Sequence, residues 1–356
     1  MKIEKLKFTP HRLKRRGRWQ TASYTADYVN VFYVEIYTDQ GVTGIGAGSV
    51  IPNMGADSFA DGLEAVKAAS NELFVGKDPR QIAPLLASLQ RAVPGFTRHK
   101  AGVELGLFDL LGKLYDVSLS TLLGGGARAA VPALKMLSMG SAAEMAETAA
   151  AHVRQGYRNL KVKLGTGAAG DLERFQAVRS AVDADVTLTV DFNGAYDAAA
   201  ATAVITALEP LGVALIEQPV KGTDLDGMAQ VKRAVQSPIL ADQEVQTAAE
   251  VYQIARDQIA DAVSIKLLKF GGLQESIAAA RVCAAAGLRC HVGGTASSSV
   301  VDAAQVHFVS ATGNVVLPAE VAEFTALDGD LVDGLEVIDG AVRVPTGPGL
   351  GVHLAR

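Results

Sequence analysis

Charged residues close a series of short apolar, β-rich runs in the second half of the chain. Five successive runs end on Lys163, Asp191, Glu217, Asp242 and Lys266, spaced 24 to 28 residues apart. That spacing fits one strand and one helix for each repeat, and parallel strands of a barrel place their carboxyl ends on one face. We therefore expect the five side chains to converge at the mouth of a barrel.

The three central acids predict a metal site. Asp191, Glu217 and Asp242 would repel one another at the ends of adjacent strands unless a cation held them. Carboxylate oxygens with room for water and substrate suit Mg²⁺, and Mn²⁺ is compatible with the same ligands. The alternative is three independent acids that cap the helices following each strand.

Two lysines flank the predicted metal. Lys163 and Lys266 would face each other across the barrel, and Lys161 points to the same side as Lys163 because it lies two residues earlier in the strand. Desolvation can lower the pKa of a lysine toward neutrality, as a general base requires. This set suits removal of a proton α to a carboxylate, with Mg²⁺ stabilising the enediolate. Solvated lysines at strand ends are the alternative.

The elements that must position these residues form a βα series. Eight runs end between residues 135 and 318, which favours a closed eight-stranded barrel over an open, doubly wound sheet. Before them, residues 30–38 and 42–46 indicate an antiparallel meander, and residues 56–72, 81–92 and 100–114 indicate helices. The last segment is rich in strands and turns and is expected to rejoin the meander.

Composition excludes several classes of protein. The 356 residues have a formal charge of −5 and 49% hydrophobic residues, which is typical of a globular protein without a nucleic-acid surface. The basic run 11–18 is interpreted as a solvated loop or one that meets an anionic substrate. Only Cys283 and Cys290 are present, so we expect free thiols. No segment predicts a membrane span, and we expect a cytoplasmic protein.

Taken together, the motifs resemble those of the enolase superfamily, in the subgroup around muconate lactonizing enzyme (the mandelate racemase/muconate lactonizing enzyme family). The resemblance covers nearly the whole length. It rests on the motifs Leu-Leu-Gly-Gly at 122–125, Lys-Val-Lys at 161–163, Asp-Phe-Asn at 191–193, Ile-Glu-Gln-Pro at 216–219, Ala-Asp at 241–242, Lys266 with Gly-Gly at 271–272, and Pro-Gly-Leu-Gly at 348–351.

The resemblance implies a modified TIM barrel, (β/α)₇β, with an N-terminal α+β capping domain completed by the C-terminal tail. We expect the capping domain at 1–125, the barrel at 126–320 and the returning segment at 321–356. The resemblance also implies Mg²⁺ on the three acids, acid/base roles for Lys163 and Lys266, and an electrostatic role for Lys161. Loops 15–25 and 48–58 would close over the barrel mouth, and a homo-oligomer is expected.

Departures from the family pattern limit the choice of substrate. Gln243 stands where many relatives have Glu, and serines at 297–299 stand where lactonizing enzymes carry an acid, which weighs against muconate. Dipeptide epimerases carry Asp-x-Asp where this chain has Glu320 and Glu323, so an ordinary dipeptide is disfavoured. Possible substrate contacts are Asn193, Trp19, Ser298 and Glu320. Lys269 is interpreted as a solvated loop charge, and Glu323 as a possible rim charge.

The leading hypothesis is a metal-dependent racemase or epimerase of an N-substituted amino acid or similar carboxylate. A muconate-type cycloisomerase and a syn-elimination lyase of the o-succinylbenzoate-synthase type remain alternatives. So do a barrel that binds a carboxylate without turnover and a Schiff-base enzyme using Lys163. His291, at a strand end, is interpreted as packed or pocket-lining rather than as a base; His99 and His307 are the other candidate ligands or bases. No nucleic-acid or membrane partner is expected.

Overall fold

The structure is a computed structural model that describes residues 1–17, 19–52 and 58–355. Its N-terminal part is an antiparallel meander covered by helices. The strands are β1 Ile3–Arg15, β2 Tyr28–Thr38 and β3 Thr43–Val50, and the helices are α1 Phe59–Phe74, α2 Ile82–Ala92, α3 Thr97–Leu114 and α4 Leu119–Leu122. Apolar side chains of the strands and of α1 to α3 form one core.

Two sequence expectations change in this region. The basic run is not a loop as far as residue 15, because residues 11–15 belong to β1, in which residues 11–14 pair with β2 and Arg15 pairs with Leu327 of the tail. Arg18 lies outside the described residues. The first helix begins at Phe59, with Ser58 accepting a hydrogen bond from the Asp61 backbone N–H as its N-cap. Residues 56 and 57 of the predicted helix also lie outside the described residues.

The second part is a curled parallel sheet surrounded by helices. A short strand, β4 Ala130–Pro132, comes first. The barrel strands are β5 Leu134–Leu137, β6 Asn159–Lys163, β7 Thr187–Asp191, β8 Val213–Glu217, β9 Ile239–Ala241, β10 Ala262–Ile265 and β11 Arg289–Val292. They pair in chain order, which confirms the predicted α/β barrel architecture.

Helices follow the strands and carry clear start signals. They are α5 Ala142–Arg154, α6 Ala168–Ser180, α7 Ala198–Leu208, α8 Leu225–Ala234, α9 Ala248–Arg256, α10 Leu273–Ala286 and α11 Ser299–Ala311. Ser141 with Glu144, and Thr247 with Glu250, form capping boxes at the starts of α5 and α9. Within the described residues, none of the helices combines the length and hydrophobicity that a bilayer crossing needs.

The eighth predicted strand is not a regular strand. Residues 315–319 instead close the barrel by isolated parallel bridges, from Val315 to Cys290 of β11 and from Ala319 to Ala133 beside β5. Pro318 lies between the two bridges and has no backbone N–H to donate, so a continuous ladder cannot form there. Sheet closure is therefore carried by single contacts at this seam.

The C-terminal tail returns to earlier parts of the chain. Its strands are β12 Leu327–Asp328, β13 Val332–Asp333, β14 Val337–Ile338, β15 Ala341–Arg343 and β16 His353–Leu354. As predicted, the tail rejoins the meander, through β12 on β1. The other strands pair elsewhere, β15 with β4 and β13 with β16. The domain limits 1–125, 126–320 and 321–356 remain predictions.

Candidate active site

A cavity of about 640 Å³ opens at the carboxyl ends of the barrel strands and is closed on one side by the N-terminal part. Its wall includes the acids and lysines singled out from the sequence, which are Lys163, Glu217, Asp242 and Lys266, together with Asn193 and Trp19. Asp191 and Lys161 lie directly behind this wall as partners of Lys163 and Glu217. The structure thus brings the predicted lysines and carboxylates together.

Asp191 is the last residue of β7 and is held by its own loop. Its Oδ1 accepts the Asn193 backbone N–H at 2.7 Å, and its Oδ2 accepts Asn193 Nδ2 at 2.9 Å and the Lys163 ammonium. Asn193 has φ +49°, a left-handed conformation that asparagine tolerates better than most residues. This turn folds the asparagine side chain back onto the carboxylate and leaves its Oδ1 without a hydrogen bond.

Glu217 ends β8 at the centre of the charged group. One carboxylate oxygen accepts from Lys161, whose ammonium also contacts Glu320. The other, Oε1, is buried and has no hydrogen-bond partner among the described residues. A buried carboxylate oxygen without a donor is an open ligand position for a cation.

Asp242 follows β9 and is bound by two lysines. Lys266 Nζ lies 2.8 Å from Oδ2, and Lys269 Nζ lies 2.9 Å from Oδ1 and 2.5 Å from the backbone oxygen. The interpretation of Lys269 as a solvated loop charge is wrong, because the side chain folds onto Asp242 and is only 11% exposed. The sequence signal for this contact was the spacing of Lys269 three residues after Lys266. Because the chain turns directly after β10, that spacing can bring both lysines to the same carboxylate.

The electrostatics differ from the sequence expectation for the lysines. Burial alone would lower the pKa of Lys163 and of Lys266, but Asp191 and Asp242 outweigh it and hold both pKa values above the ordinary value. The expected depression toward neutrality is absent because each base is paired directly with a carboxylate. Burial and neighbouring acids raise the pKa of Glu217 to about 7.

Among the described residues, the ligand atoms of Glu217, His291 and Glu320 all lie within 4.8 Å of one another, close enough to hold a metal ion, whereas Asp191, Glu217 and Asp242 do not form a group of this kind. The Lys161 ammonium contacts both carboxylates of this group, so a cation is already present there. Burial and Lys161 lower the pKa of His291 to about 3, and its Nδ1 lies 3.1 Å from Ser264 Oγ. His291 is therefore a neutral, packed residue, as interpreted from the sequence.

The two other candidate histidines are also buried outside the cavity wall. His99 stacks on Phe32, with ring centroids 5.6 Å apart, and its Nε2 lies 3.1 Å from the Phe59 carbonyl oxygen. His307 accepts the Ser120 backbone N–H at Nδ1. Both hold elements of the fold together.

The four predicted substrate contacts divide into two groups. Asn193 and Trp19 line the cavity. Ser298 is fully buried at the start of α11 and is not part of the cavity wall, so this structure gives it no path to a substrate. Glu320 lines the cavity, but its carboxylate is engaged by Lys161 and, at 2.6 Å, by the Gly294 backbone N–H.

A buried ion pair at the edge of the cavity was missed by sequence reasoning. Arg15 Nη2 lies 3.2 Å from Glu323 Oε2, and both side chains are 5% exposed. The Arg15 guanidinium also lies 4.0 Å from the centroid of the Trp19 ring. Glu323 is therefore a buried partner of the capping domain rather than a rim charge, and no local pattern could reveal a pair 308 residues apart.

The loops predicted to cover the mouth contribute to the wall in part. Trp19, Ser23 and Tyr24 of loop 15–25 and Ile51 of loop 48–58 line the cavity. Residues 53–57 of the second loop lie outside the described residues. Gln243, which departs from the family pattern, donates from Nε2 to the Asn193 carbonyl oxygen at 3.0 Å and so ties two catalytic-face loops together.

Comparison with known proteins agrees with this geometry. Residues 3–124 match the N-terminal domain of the mandelate racemase/muconate lactonizing enzyme family, and residues 144–356 match the enolase C-terminal domain-like family. The chain belongs to the mandelate racemase/muconate lactonizing enzyme family. Mandelate racemase/muconate lactonizing enzyme relatives similar to this chain are isomerases, namely racemases, epimerases and cycloisomerases.

Three relatives illustrate the range of reactions among proteins similar to this chain. N-succinyl-L-Arg/Lys racemase of Bacillus cereus is 30% identical over 90% of this chain and 87% of its own. Muconate cycloisomerase 1 of Rhodococcus opacus is 31% identical over 96% of this chain and 92% of its own. A dipeptide epimerase structure from Enterococcus faecalis, complexed with Mg and the dipeptide L-Leu-L-Tyr, superposes with a TM-score of 0.94 at 28% identity, covering 99% of both chains.

Proposed function

We propose that this protein is a Mg²⁺-dependent racemase or epimerase that exchanges the proton α to the carboxylate of an N-substituted amino acid. The observation that carries the proposal is the placement of Lys163 and Lys266. In the sheet order, β7, β8 and β9 separate their strands, and both lysines line one cavity. Two lysines on opposite walls can remove a proton from one face of a carbon and return it to the other.

Asp191, Glu217 and Asp242 would hold the metal. They end adjacent strands, and the unpartnered Glu217 Oε1 fits a cation. A bound Mg²⁺ would supply positive charge beside the substrate carboxylate, which would stabilise the negative charge that develops there when the α-carbon loses its proton. Removal of divalent ions with EDTA should abolish exchange, and added Mg²⁺ should restore it.

The chain's own residues supply the remaining chemistry. Lys163 and Lys266 each exchange a proton with the substrate carbon at Nζ. Lys161 keeps its proton, because Glu217 and Glu320 outweigh burial and raise its pKa. Its positive charge stays fixed beside Glu217 and Glu320, and Lys161 takes no part in proton transfer to the substrate.

The carboxylates of the cavity favour an N-acyl amino acid over a substrate with a free α-ammonium. In the part of the wall that the structure describes, Glu320 is engaged by Lys161 and Glu323 by Arg15. Glu217 and Asp242 belong to the proposed metal site. An amide nitrogen carries no charge and needs no such partner, and the relative named N-succinyl-L-Arg/Lys racemase acts on a substrate of this kind.

Muconate-type cycloisomerisation is the second candidate, and the 31% identity with a muconate cycloisomerase favours it. That reaction needs one lysine as acid or base, whereas racemisation uses both. The two candidates therefore predict different effects of replacing each lysine.

The test is ¹H NMR in D₂O with Mg²⁺, following the α-proton of N-acyl amino acids in both enantiomers. In the wild type, the α-proton of each enantiomer should exchange. Lys163→Ala and Lys266→Ala should each abolish exchange for one enantiomer, because each variant removes the base on one face. A loss of about two or more orders of magnitude is expected for a positioned acid/base group.

Lys67→Ala is the matched control, because this lysine is exposed on α1, outside the cavity wall, and pairs with Glu64. Consumption of muconate without α-proton exchange would transfer the assignment to the cycloisomerase. No reaction with either substrate class would overturn both candidate functions.

A homo-oligomer and a cytoplasmic location remain part of the proposal. The mass in solution measured by light scattering tests the oligomeric state.

A further inference from the structure

A second cavity of about 710 Å³ lies beside the active-site cavity, between β5, α5 and residues 323–326. We call it the side chamber. The two cavities share Arg15, Trp19, Met136 and Glu323 in their walls. The partition between them therefore includes the Arg15–Glu323 ion pair, the Trp19 ring on which Arg15 stacks, and Met136.

Lys135 of β5 lines the side chamber and is 8% exposed. Its Nζ donates to Thr325 Oγ1 at 2.6 Å and lies 3.5 Å from the Ala322 carbonyl oxygen. The ring of Tyr157 lies 5.5 Å away. None of these partners carries a charge, and no carboxylate of the described residues lies within ion-pair distance of this ammonium.

The buried charges around Lys135 do not balance. Arg15 and Lys135 are cations, and Glu323 is the carboxylate that Arg15 already binds. Asp302 is also near, but its burial raises its pKa well above the ordinary value and so disfavours its charged form. A buried cation without a counter-charge is costly, and an arriving anion would relieve that cost.

The rest of the chamber suits a hydrocarbon chain. Met136, Met139 and Met145 line it together with Trp19 and Tyr157. Methionine side chains are flexible and polarisable, so they adapt to apolar groups of different shape. An anionic group on a short aliphatic arm matches both the charge and the surface.

We propose that the side chamber binds a carboxylate against Lys135, carried by an aliphatic chain that packs on the methionines. This carboxylate is either the distal end of a substrate's N-acyl arm, reaching past Arg15 and Glu323, or a separate dicarboxylate. The first source rests on the proposed function; binding at Lys135 itself does not.

The first experiment is calorimetric titration of the full chain, with Mg²⁺, using glutarate as the probe. Lys135→Met keeps the side-chain volume and removes the charge, and it should weaken binding about tenfold or more, as expected for a charge-assisted contact. Lys135→Arg should retain binding. Glu323→Gln removes a buried negative charge from the chamber wall and should tighten binding, a gain that a folding defect cannot produce.

The second experiment compares KM for N-succinyl and N-butanoyl forms of one amino acid, which differ in the terminal carboxylate. If the substrate arm occupies the chamber, Lys135→Met should raise the KM ratio of the succinyl to the butanoyl form about tenfold. If a separate anion does, the ratio stays fixed while glutarate binds without competing with substrate. Lys77→Met, an exposed lysine of the N-terminal part, should leave both measurements unchanged.

Unchanged glutarate affinity in both Lys135→Met and Glu323→Gln, together with an unchanged KM ratio, overturns the chamber assignment. Failure of the proposed function has a different signature. In that case no α-proton exchanges in any substrate, while glutarate binding still depends on Lys135.

Discussion

Glu104 is a buried carboxylate that is held by backbone N–H groups, whereas Asp191 and Asp242 are paired with lysines. It lies on α3 and accepts the Gln274 backbone N–H at 2.8 Å at the start of α10, joining the capping part to the barrel. No cation pairs with it in the described structure, and burial raises its pKa to about 7 despite the hydrogen bonds from Leu273 and Gln274. Its protonated form is therefore favoured in the folded state.

Glu104→Gln should change the pH dependence of stability. Since the folded pKa exceeds the ordinary 4.5, the native chain binds the extra proton, and wild-type stability falls as pH rises from about 4.5 to about 7. Glutamine keeps the acceptor but cannot ionise. The free energy of unfolding of the variant relative to wild type, measured by denaturant titration at several pH values, should therefore rise across that window by about 3 kcal/mol at most and level off above it. A difference that is flat with pH would contradict this assignment.

The strand ends of the barrel show how much of the site the sequence contains. Asp191 and Glu217 are the last residues of β7 and β8, as predicted. The prediction was possible because each short apolar run in the sequence ends on a charged residue, and that residue lies at the barrel mouth. Contacts between distant segments could not be predicted in this way. Arg15 belongs to the basic run and Glu323 to the segment after the barrel, but neither local sequence indicates the pair, because it depends on how the tail crosses the meander.

β3 and α3 approach each other closely in the capping part. Glycines on both sides allow it, and a Cβ added at Gly46 would lie 2.5 Å from the Gly106 backbone nitrogen and 3.0 Å from its Cα. Such distances require one element to move. The sequence shows these glycines but cannot show that they face each other.

Gly46→Ala should lower the free energy of unfolding by about 1–3 kcal/mol, the range for overpacking a tight interface. Denaturation in guanidinium measures the change. Gly313→Ala is the matched control, because its backbone φ is not in the left-handed region and a Cβ there meets no atom within 4 Å. Equal stability of the two variants would show that the sheet and helix can separate without cost.

At the scale of the whole molecule, the tail holds the two parts together. Asp330 accepts the Tyr33 hydroxyl of β2 at 2.7 Å, and its other oxygen accepts the Ser299 backbone N–H at 2.6 Å at the start of α11. One carboxylate therefore connects a strand of the meander with a barrel helix. Without it, the N-terminus of α11 and the tyrosine lose the same partner.

Asp330→Ala should loosen the two parts from each other as well as lower stability, by about 1–3 kcal/mol for the lost hydrogen bonds. Trp19 is the sole tryptophan and lies on the capping side, so its fluorescence reports that part, while far-UV circular dichroism reports mainly the barrel helices. The two unfolding transitions should coincide in the wild type and separate in the variant. Coincident transitions in both proteins would contradict this role of Asp330.

The return of the tail also has a consequence for folding during synthesis. β1 leaves the ribosome long before its neighbour β12, which is made more than three hundred residues later, as the 312-residue separation of Arg16 and Asp328 shows. During that time one edge of the first sheet stays open to other chains. A nascent chain stalled before residue 327 should therefore depend on chaperones that shield strand edges, although its meander and most of its barrel have already been synthesised.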